Sequence, residues 1–169
     1  MDCRVPLHNQ KGAIVAHALV SPEDYERVSC HPWYLGAKYV QRVPWQPKGI
    51  SRTTILLHRF VLSALSGKHV DHINGNPLDN RQENLRFATS AQNQRNRRMI
   101  TTNTSGYKGV IWDRNRHKWS ARVKLSSKTF YGGLYDSIVD AARAYDVLAL
   151  KLHGEFAVTN ADLGLLKEY

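Results

Sequence analysis

The sequence predicts an α+β fold in two domains, and three observations lead there. The stretch from His69 to Arg98, HVDHINGNPLDNRQENLRFATSAQNQRNRR, has the pattern strand, turn-rich loop, strand, helix. Residues 105–160 change to short strands followed by one helical run, which predicts a three-stranded antiparallel sheet packed on one helix. Between the two, the Thr/Asn/Ser/Gly run after Ile100 has no periodicity and marks a boundary. The expected division is 1–98, a linker at 99–104, and 105–169.

The elements follow in order. Ala13 to Val20 (AIVAHALV) is an apolar run of strand length. Ser21-Pro22-Glu23-Asp24 supplies an N-cap, a Pro at the first helical position and first-turn acids, so a short helix through Val28 is expected. Trp33-Tyr34-Leu35 and Lys38 to Val43 suggest a hairpin about Gly36-Ala37. Thr53 to Leu57 suggests another strand, and His58 to Leu62 starts an apolar helix ending near Gly67.

Val70-Asp71-His72-Ile73 is a short strand. Asn74 to Asp79 then hold two Asn, a Gly, a Pro and an Asp, a density of turn formers that forces a loop. Leu85 to Thr89 is the returning strand, and Ser90 caps a helix. Further on, Lys108 to Trp112, Lys118 to Lys124 and Thr129 to Tyr131 are strands. Asp136-Ser137 caps a helix from Ile138 to about Leu152, with Gly154 as its terminator.

Composition narrows the partner. The 169 residues include 42% hydrophobic side chains, enough for a core, and a formal charge of +10 from 24 Lys+Arg against 14 Asp+Glu. Such an excess favours a polyanion, and nucleic acid is the commonest. An anionic membrane surface is the rival, disfavoured because the charge falls on strands rather than an amphipathic helix. No apolar run approaches the roughly 20 residues of a spanning helix, and the N-terminus lacks a signal-peptide core, so a soluble chain in the cytoplasm of a bacterial or phage-infected cell is expected. Cys3 and Cys30 have no CxxC partner and are expected as free thiols.

The turn-rich motif carries chemistry. Asp71 and His72 are adjacent at the end of a strand, where they can share a site only if the strand stops or twists. Asn93 on the following helix can add an amide oxygen. A carboxylate, an imidazole and an amide oxygen suit phosphodiester hydrolysis. A hard cation takes the oxygens and keeps waters, while an imidazole with an ordinary pKa near 6.5 accepts a proton from the attacking water.

These residues, Asp71-His72-Ile-Asn-Gly-Asn followed by Asp79-Asn80-Arg81 and Asn84-Leu85-Arg86, resemble the His-Asn-His (HNH) motif of phage and intron-encoded homing endonucleases. The resemblance covers residues 5–98 and implies a ββα-metal finger. It implies that His72 is the general base, Asp71 a metal ligand, and Asn84 the residue that holds the loop carrying the base. Asn93 stands where many such enzymes have a metal-binding His, which argues for one Mg²⁺ or Mn²⁺ per site over a softer ion. His58 is expected in support, hydrogen-bonding the metal-site loop. Arg95, Arg97 and Arg98 are expected on the DNA backbone, with Arg42, Lys48, Arg52 and Arg59 as further candidates. Trp33, Tyr34 and Trp45 are expected to pack rather than stack on bases.

In the C-terminal domain, strand parity separates Lys118, Ser120, Arg122 and Lys124 from Trp119, Ala121, Val123 and Leu125. One face is basic and fits a major groove about 12 Å wide. SGYKGVIWDRNRHKWSARV with AARAYDVLALKLHGEFAVTN resembles the DNA-binding domain of plant ethylene-response factors. By position this implies DNA contacts from Lys108, Arg114, Arg116, Lys118, Arg122, Lys124, Thr129 and Tyr131, with Trp119 and Tyr145 joining helix to sheet. Ile111 stands where the plant proteins have Arg, Arg122 where they have an acid, and Thr129 and Tyr131 where they have Arg and Trp, so the plant target sequence does not transfer. The sequence thus predicts a metal-dependent endonuclease of double-stranded DNA. It should act as a monomer or weak dimer, with no membrane and no small-molecule cofactor. The alternative is a DNA-binding regulator with an inactive nuclease domain.

Overall fold

The computed structural model describes residues 3–95 and 103–166, the first stretch with its side chains through Asn93. It is a mixed α+β chain divided into two compact units, 1–89 and 90–169. Among the described residues no helix is long and apolar enough to cross a membrane.

The first unit begins with a strand the sequence pattern did not disclose, β1 (Cys3–His8), whose Val5 and Leu7 are buried. It pairs antiparallel with β2 (Ile14–Val20), with an irregularity between Leu7 and His8. Helix α1 (Pro22–Ser29) then crosses over, so that β3 (Trp33–Leu35) runs parallel to β1. Strands β4 (Val40–Arg42) and β5 (Ile55–Leu56) complete a sheet ordered β2-β1-β3-β4-β5.

Helix α2 (Leu57–Val61) is shorter than its apolar run suggested. Ser63 turns into the left-handed region at φ 48°, which stops the helix well before Gly67. The Arg59 guanidinium donates to the carbonyls of Ala64, Leu65 and Lys68 in the turn that follows.

Two strands of the turn-rich motif, β6 (His69–His72) and β7 (Leu85–Ala88), pair antiparallel as a separate hairpin. Its Val70 and Leu85 join Val5, Leu7, Val20, Val28, Trp33, Leu57 and Val61 in one core. The sheet and the motif are therefore one folding unit rather than a module with an appendage. Trp33 is fully buried and donates its indole N–H to the Val28 carbonyl at 2.9 Å, whereas Trp45 is 86% exposed.

The second unit holds α3 (Ser90–Arg95), β8 (Val110–Asp113), β9 (Lys118–Leu125), β10 (Lys128–Tyr135) and α4 (Ile138–His153). The three strands are antiparallel in the order β10-β9-β8. The Ser137 side chain caps α4 by accepting from the Asp140 N–H. Tyr145 and Ala149 of α4 pack on Ala121 and Val123 of β9, while Ala141 and Ala142 pack with Val110. Burial raises the Tyr145 phenol to about 12.

The segment after α4 is fastened by Asn160, which is fully buried. Its side-chain oxygen accepts from the Lys108 N–H at 2.7 Å, and its amide donates to Asp146 at 2.9 Å. Asp146 in turn accepts from the backbone N–H groups of Asn160 and Ala161.

Candidate functional site

The site in the first unit is built where β6 ends. Asp71 and His72 are each 5% exposed. Alternation along β6 separates their directions. Asp71 accepts from the guanidinium of Arg86, its antiparallel partner, at 3.0 and 3.1 Å. His72 instead meets Asn80, with its Nε2 3.4 Å from the Asn80 amide oxygen.

Two further rings surround the His72 imidazole. Tyr39, in the β3–β4 hairpin, stacks on it with centroids 6.0 Å apart and planes 13° from parallel. His58 of α2 approaches edge-on at 5.1 Å, and Tyr39 and His58 also touch each other at 4.8 Å. Burial lowers the His72 pKa, opposed by the Asn80 contact and the negative charges of Asp71 and Asp79. The His58 pKa falls from 6.5 to about 3, chiefly by burial and then by the charges of His72, Arg59 and Lys38. Both rings are thus held toward the neutral form, able to offer a lone pair. The expected hydrogen bond from His58 to the loop is not made. His58 touches its neighbours by ring contact, and its buried Nδ1 has no partner among the described residues.

The loop after β6 is braced rather than slack. The Asn84 side-chain oxygen accepts from the Asn74 N–H at 3.0 Å, and its amide donates to the Asp79 carbonyl at 2.7 Å and to the Asn74 side chain at 3.0 Å. Asp79 takes two bonds from the Arg81 guanidinium and one from its backbone N–H, which hold its carboxyl below the ordinary range, and one from Asn74. From the other side, Leu19 and Asn80 exchange backbone partners with this loop, the Leu19 N–H donating to Leu78 and the Asn80 N–H to Leu19. Gln82 donates its backbone N–H to Ser21 and its side-chain amide to Asp24. The edge of β2 and the start of α1 therefore carry the loop.

Of the predicted residues, His58 and His72 meet by their rings, Asn84 braces the loop that follows, and Asp71 is turned to Arg86. Asn93 is half-buried on α3 in the second unit. The Arg95 side chain, Arg97 and Arg98 lie outside the described residues. Among those described, no group of three His, Cys, Asp or Glu side chains forms a metal cage. Sequence reasoning missed Tyr39, and it quoted Asn80 and Arg86 within the motif without giving either a role; pairing the hairpin in register would have set Arg86 opposite Asp71.

Further candidates for phosphate contact divide. Lys48 and Arg52 are exposed. Arg42 instead lies over Trp33 and Phe60, at 5.6 and 5.5 Å.

In the second unit the register gathers one sheet face. Ile111 lies opposite Ser120, Asp113 opposite Lys118, Thr129 opposite Lys124, and Tyr131 opposite Arg122. Lys118, Arg122, Lys124, Thr129 and Tyr131 therefore share a face, and α4 packs on the other. The Arg122 guanidinium lies 5.3 Å from the Tyr131 ring, which is 68% exposed. Arg122 also bonds Ser120 at 3.0 Å and reaches Asp113 at 3.5 Å, while Lys118 reaches Asp136 at 3.0 Å. Arg114 and Arg116 are exposed in the β8–β9 turn. Lys108 is half-buried before β8, and burial brings its amine down to about 8 despite Asp162 and Asp146.

Comparison with known proteins yields two family matches. One, described as HNH endonuclease, covers residues 65–95, and an AP2 domain covers residues 105–155. The chain is 36% identical over 91 residues to Protein 3.8 of Escherichia phage T7, covering 54% of this chain and 74% of that protein. It is 32% identical over 149 residues to the uncharacterized HNH endonuclease L560 of Acanthamoeba polyphaga mimivirus, covering 85% and 74%. It is also 35% identical over 101 residues to the AP2-like ethylene-responsive transcription factor CRL5 of Oryza sativa subsp. japonica, covering 54% of this chain but 16% of that protein.

Proposed function

The chain belongs to the HNH endonuclease family and carries an AP2 domain behind the nuclease motif, and on that premise we propose that it is a divalent-metal-dependent endonuclease of duplex DNA. The observation that supports this most is the pair at the end of β6, a buried carboxylate and a buried neutral-leaning imidazole, followed by a loop braced by Asn84. In this reading β6, its loop, β7 and α3 form the ββα-metal finger. His72 takes the proton of the attacking water, and Asn84 keeps the loop in shape.

The donor chemistry fits a hard ion. Asp71 would hold it together with Asn93, the oxygen ligand expected from the motif. Two protein oxygens of this kind suit Mg²⁺ or Mn²⁺, with DNA phosphate and water completing the shell. When bound, the ion would supply charge for the crowded phosphorane and the departing oxygen. The protein's own part is to hold the base, brace the loop and keep Asp71 in place beside Arg86.

The second unit would hold DNA through the face of Lys118, Arg122, Lys124, Thr129 and Tyr131, with Arg114 and Arg116 on adjoining phosphates. Site preference would come from there, since phosphate contacts carry no sequence information directly. If about six Lys and Arg side chains meet phosphate, log affinity falls against log salt with a slope of roughly −5. Fluorescence anisotropy with labelled duplex in EDTA measures this, and a flat response would remove the electrostatic basis of binding.

One observation favours the rival reading of a DNA-binding regulator with a silent nuclease half: the Asp71 carboxylate is already balanced by Arg86 at 3.0 Å. Incubation with supercoiled plasmid separates the two. The nuclease reading requires nicked or linear DNA with Mg²⁺ or Mn²⁺ and intact plasmid with EDTA. Intact plasmid in all three leaves the regulator.

A further inference from the structure

The β3–β4 hairpin lies outside both family matches, yet it forms one wall of the His72 site. Gly36 makes its turn: its N–H donates to the Tyr39 carbonyl at 3.0 Å, and a Cβ there would lie 2.8 Å from that oxygen. The tightness of this turn places Lys38 and Tyr39 at its tip. Tyr39 stacks on His72, and the Lys38 ammonium lies 4.7 Å from the centre of the same tyrosine ring.

The neighbouring cations are committed. Arg86 is paired with Asp71, Arg81 with Asp79 and Glu83, and the Arg59 guanidinium with backbone carbonyls. Lys38 differs. It is exposed, and among the described residues it forms no ion pair. Its charge reaches the site all the same, lowering the proton affinity of both His58 and His72. A cation–π seat holds an ammonium loosely and leaves its N–H groups available. An anion arriving at the tip of this hairpin would meet these donors.

We propose that Lys38 is the substrate-facing cation of the nuclease site, donating to a non-bridging oxygen of the phosphate that His72 and its water attack, with Tyr39 as the seat that aims it. This rests on the nuclease reading and assigns a role to a residue outside the motif. Charge donated where charge develops lowers the barrier more than it tightens binding.

The test uses the full chain in two arms. In the first, single-turnover nicking of supercoiled plasmid with Mg²⁺ is compared for wild type, Lys38→Met and Lys38→Arg. Lys38→Met should slow the saturated rate roughly 10- to 100-fold, the loss expected for one charged donor. Lys38→Arg should recover most of it, and duplex affinity in EDTA should change less than about threefold, because one of many phosphate contacts is lost. A Lys38→Met rate equal to wild type overturns the proposal and leaves the nuclease reading standing. In the second arm, lysine acetylation is mapped by mass spectrometry with and without saturating duplex in EDTA. Lys38 should be protected by DNA, and unchanged reactivity overturns the proposal whether or not wild type cuts. Protection of Lys38 without cutting by wild type supports the phosphate contact while removing the nuclease reading.

Discussion

Replacing His72 by Ala should lower single-turnover DNA cleavage by roughly 10³-fold, the middle of the range for a positioned general base. Duplex affinity in EDTA should stay within about threefold of wild type, since the imidazole is 95% buried and offers little to a bound phosphate. The pH dependence carries the same assignment. Burial lowers the His72 pKa from its ordinary 6.5, so the neutral, proton-accepting form persists to more acidic pH than for an exposed histidine. The acidic limb of kcat/KM, which reports the free enzyme, should therefore lie below pH 6.5. Cleavage by His72→Ala at the wild-type rate, or a limb at or above that value, removes the base assignment.

Gly109→Ala should strongly destabilise the second unit. Gly109 sits at φ +71°, where a Cβ is strained, and that Cβ would lie 2.0 Å from Tyr145 Cδ2 and 2.8 Å from the Arg122 carbonyl oxygen. The Tyr145 ring is core and cannot swing aside without opening its packing on Ala121 and Val123. Left-handed strain and overpacking together cost on the order of 3–5 kcal/mol, lowering the melting temperature of a unit this size by roughly 10 °C or more. Gly106→Ala is the comparison, with φ +76° but nothing within 4 Å of the added methyl, and it should cost only about 1 kcal/mol. Thermal denaturation followed by circular dichroism compares them. Equal shifts for the two variants would show that the Tyr145 contact is not what constrains Gly109.

Much of this architecture is legible in the sequence because its signals are local. The parity of β9 separates Arg122 and Lys124 from Ala121 and Val123, and the register then brings Thr129 and Tyr131 onto the basic face. Ser21-Pro22 and Ser137 announce their helices, and the Asn/Gly/Pro run announces the loop after β6. Other features depend on contacts across the chain. In β1 a proline interrupts a short run, and it becomes a strand by pairing with β2 and β3. The apolar residues after Val61 suggest more helix, but the turn at Ser63, capped by Arg59, ends it. Ser120 shares the parity of the basic face, yet it is 1% exposed and accepts from Arg122.

The motif names Asp71, His72 and Asn84, whereas the rings about His72 come from 14 and 33 positions upstream, at His58 and Tyr39. No spacing rule links them, because the five-stranded sheet makes the connection. The edge of β2 supplies Leu19 and the start of α1 supplies Ser21 and Asp24 to the loop, so part of what supports the base lies outside the recognisable motif.

The most direct measurement is Mn²⁺ titration by electron paramagnetic resonance on the full chain, with a duplex made uncleavable by phosphorothioate substitution. One tightly bound ion per chain is expected for wild type, weakened at least roughly tenfold in Asp71→Asn and in Asn93→Ala. Manganese bound equally well by wild type and both variants, or by none of them, would contradict a single hard ion held between carboxylate, amide and DNA.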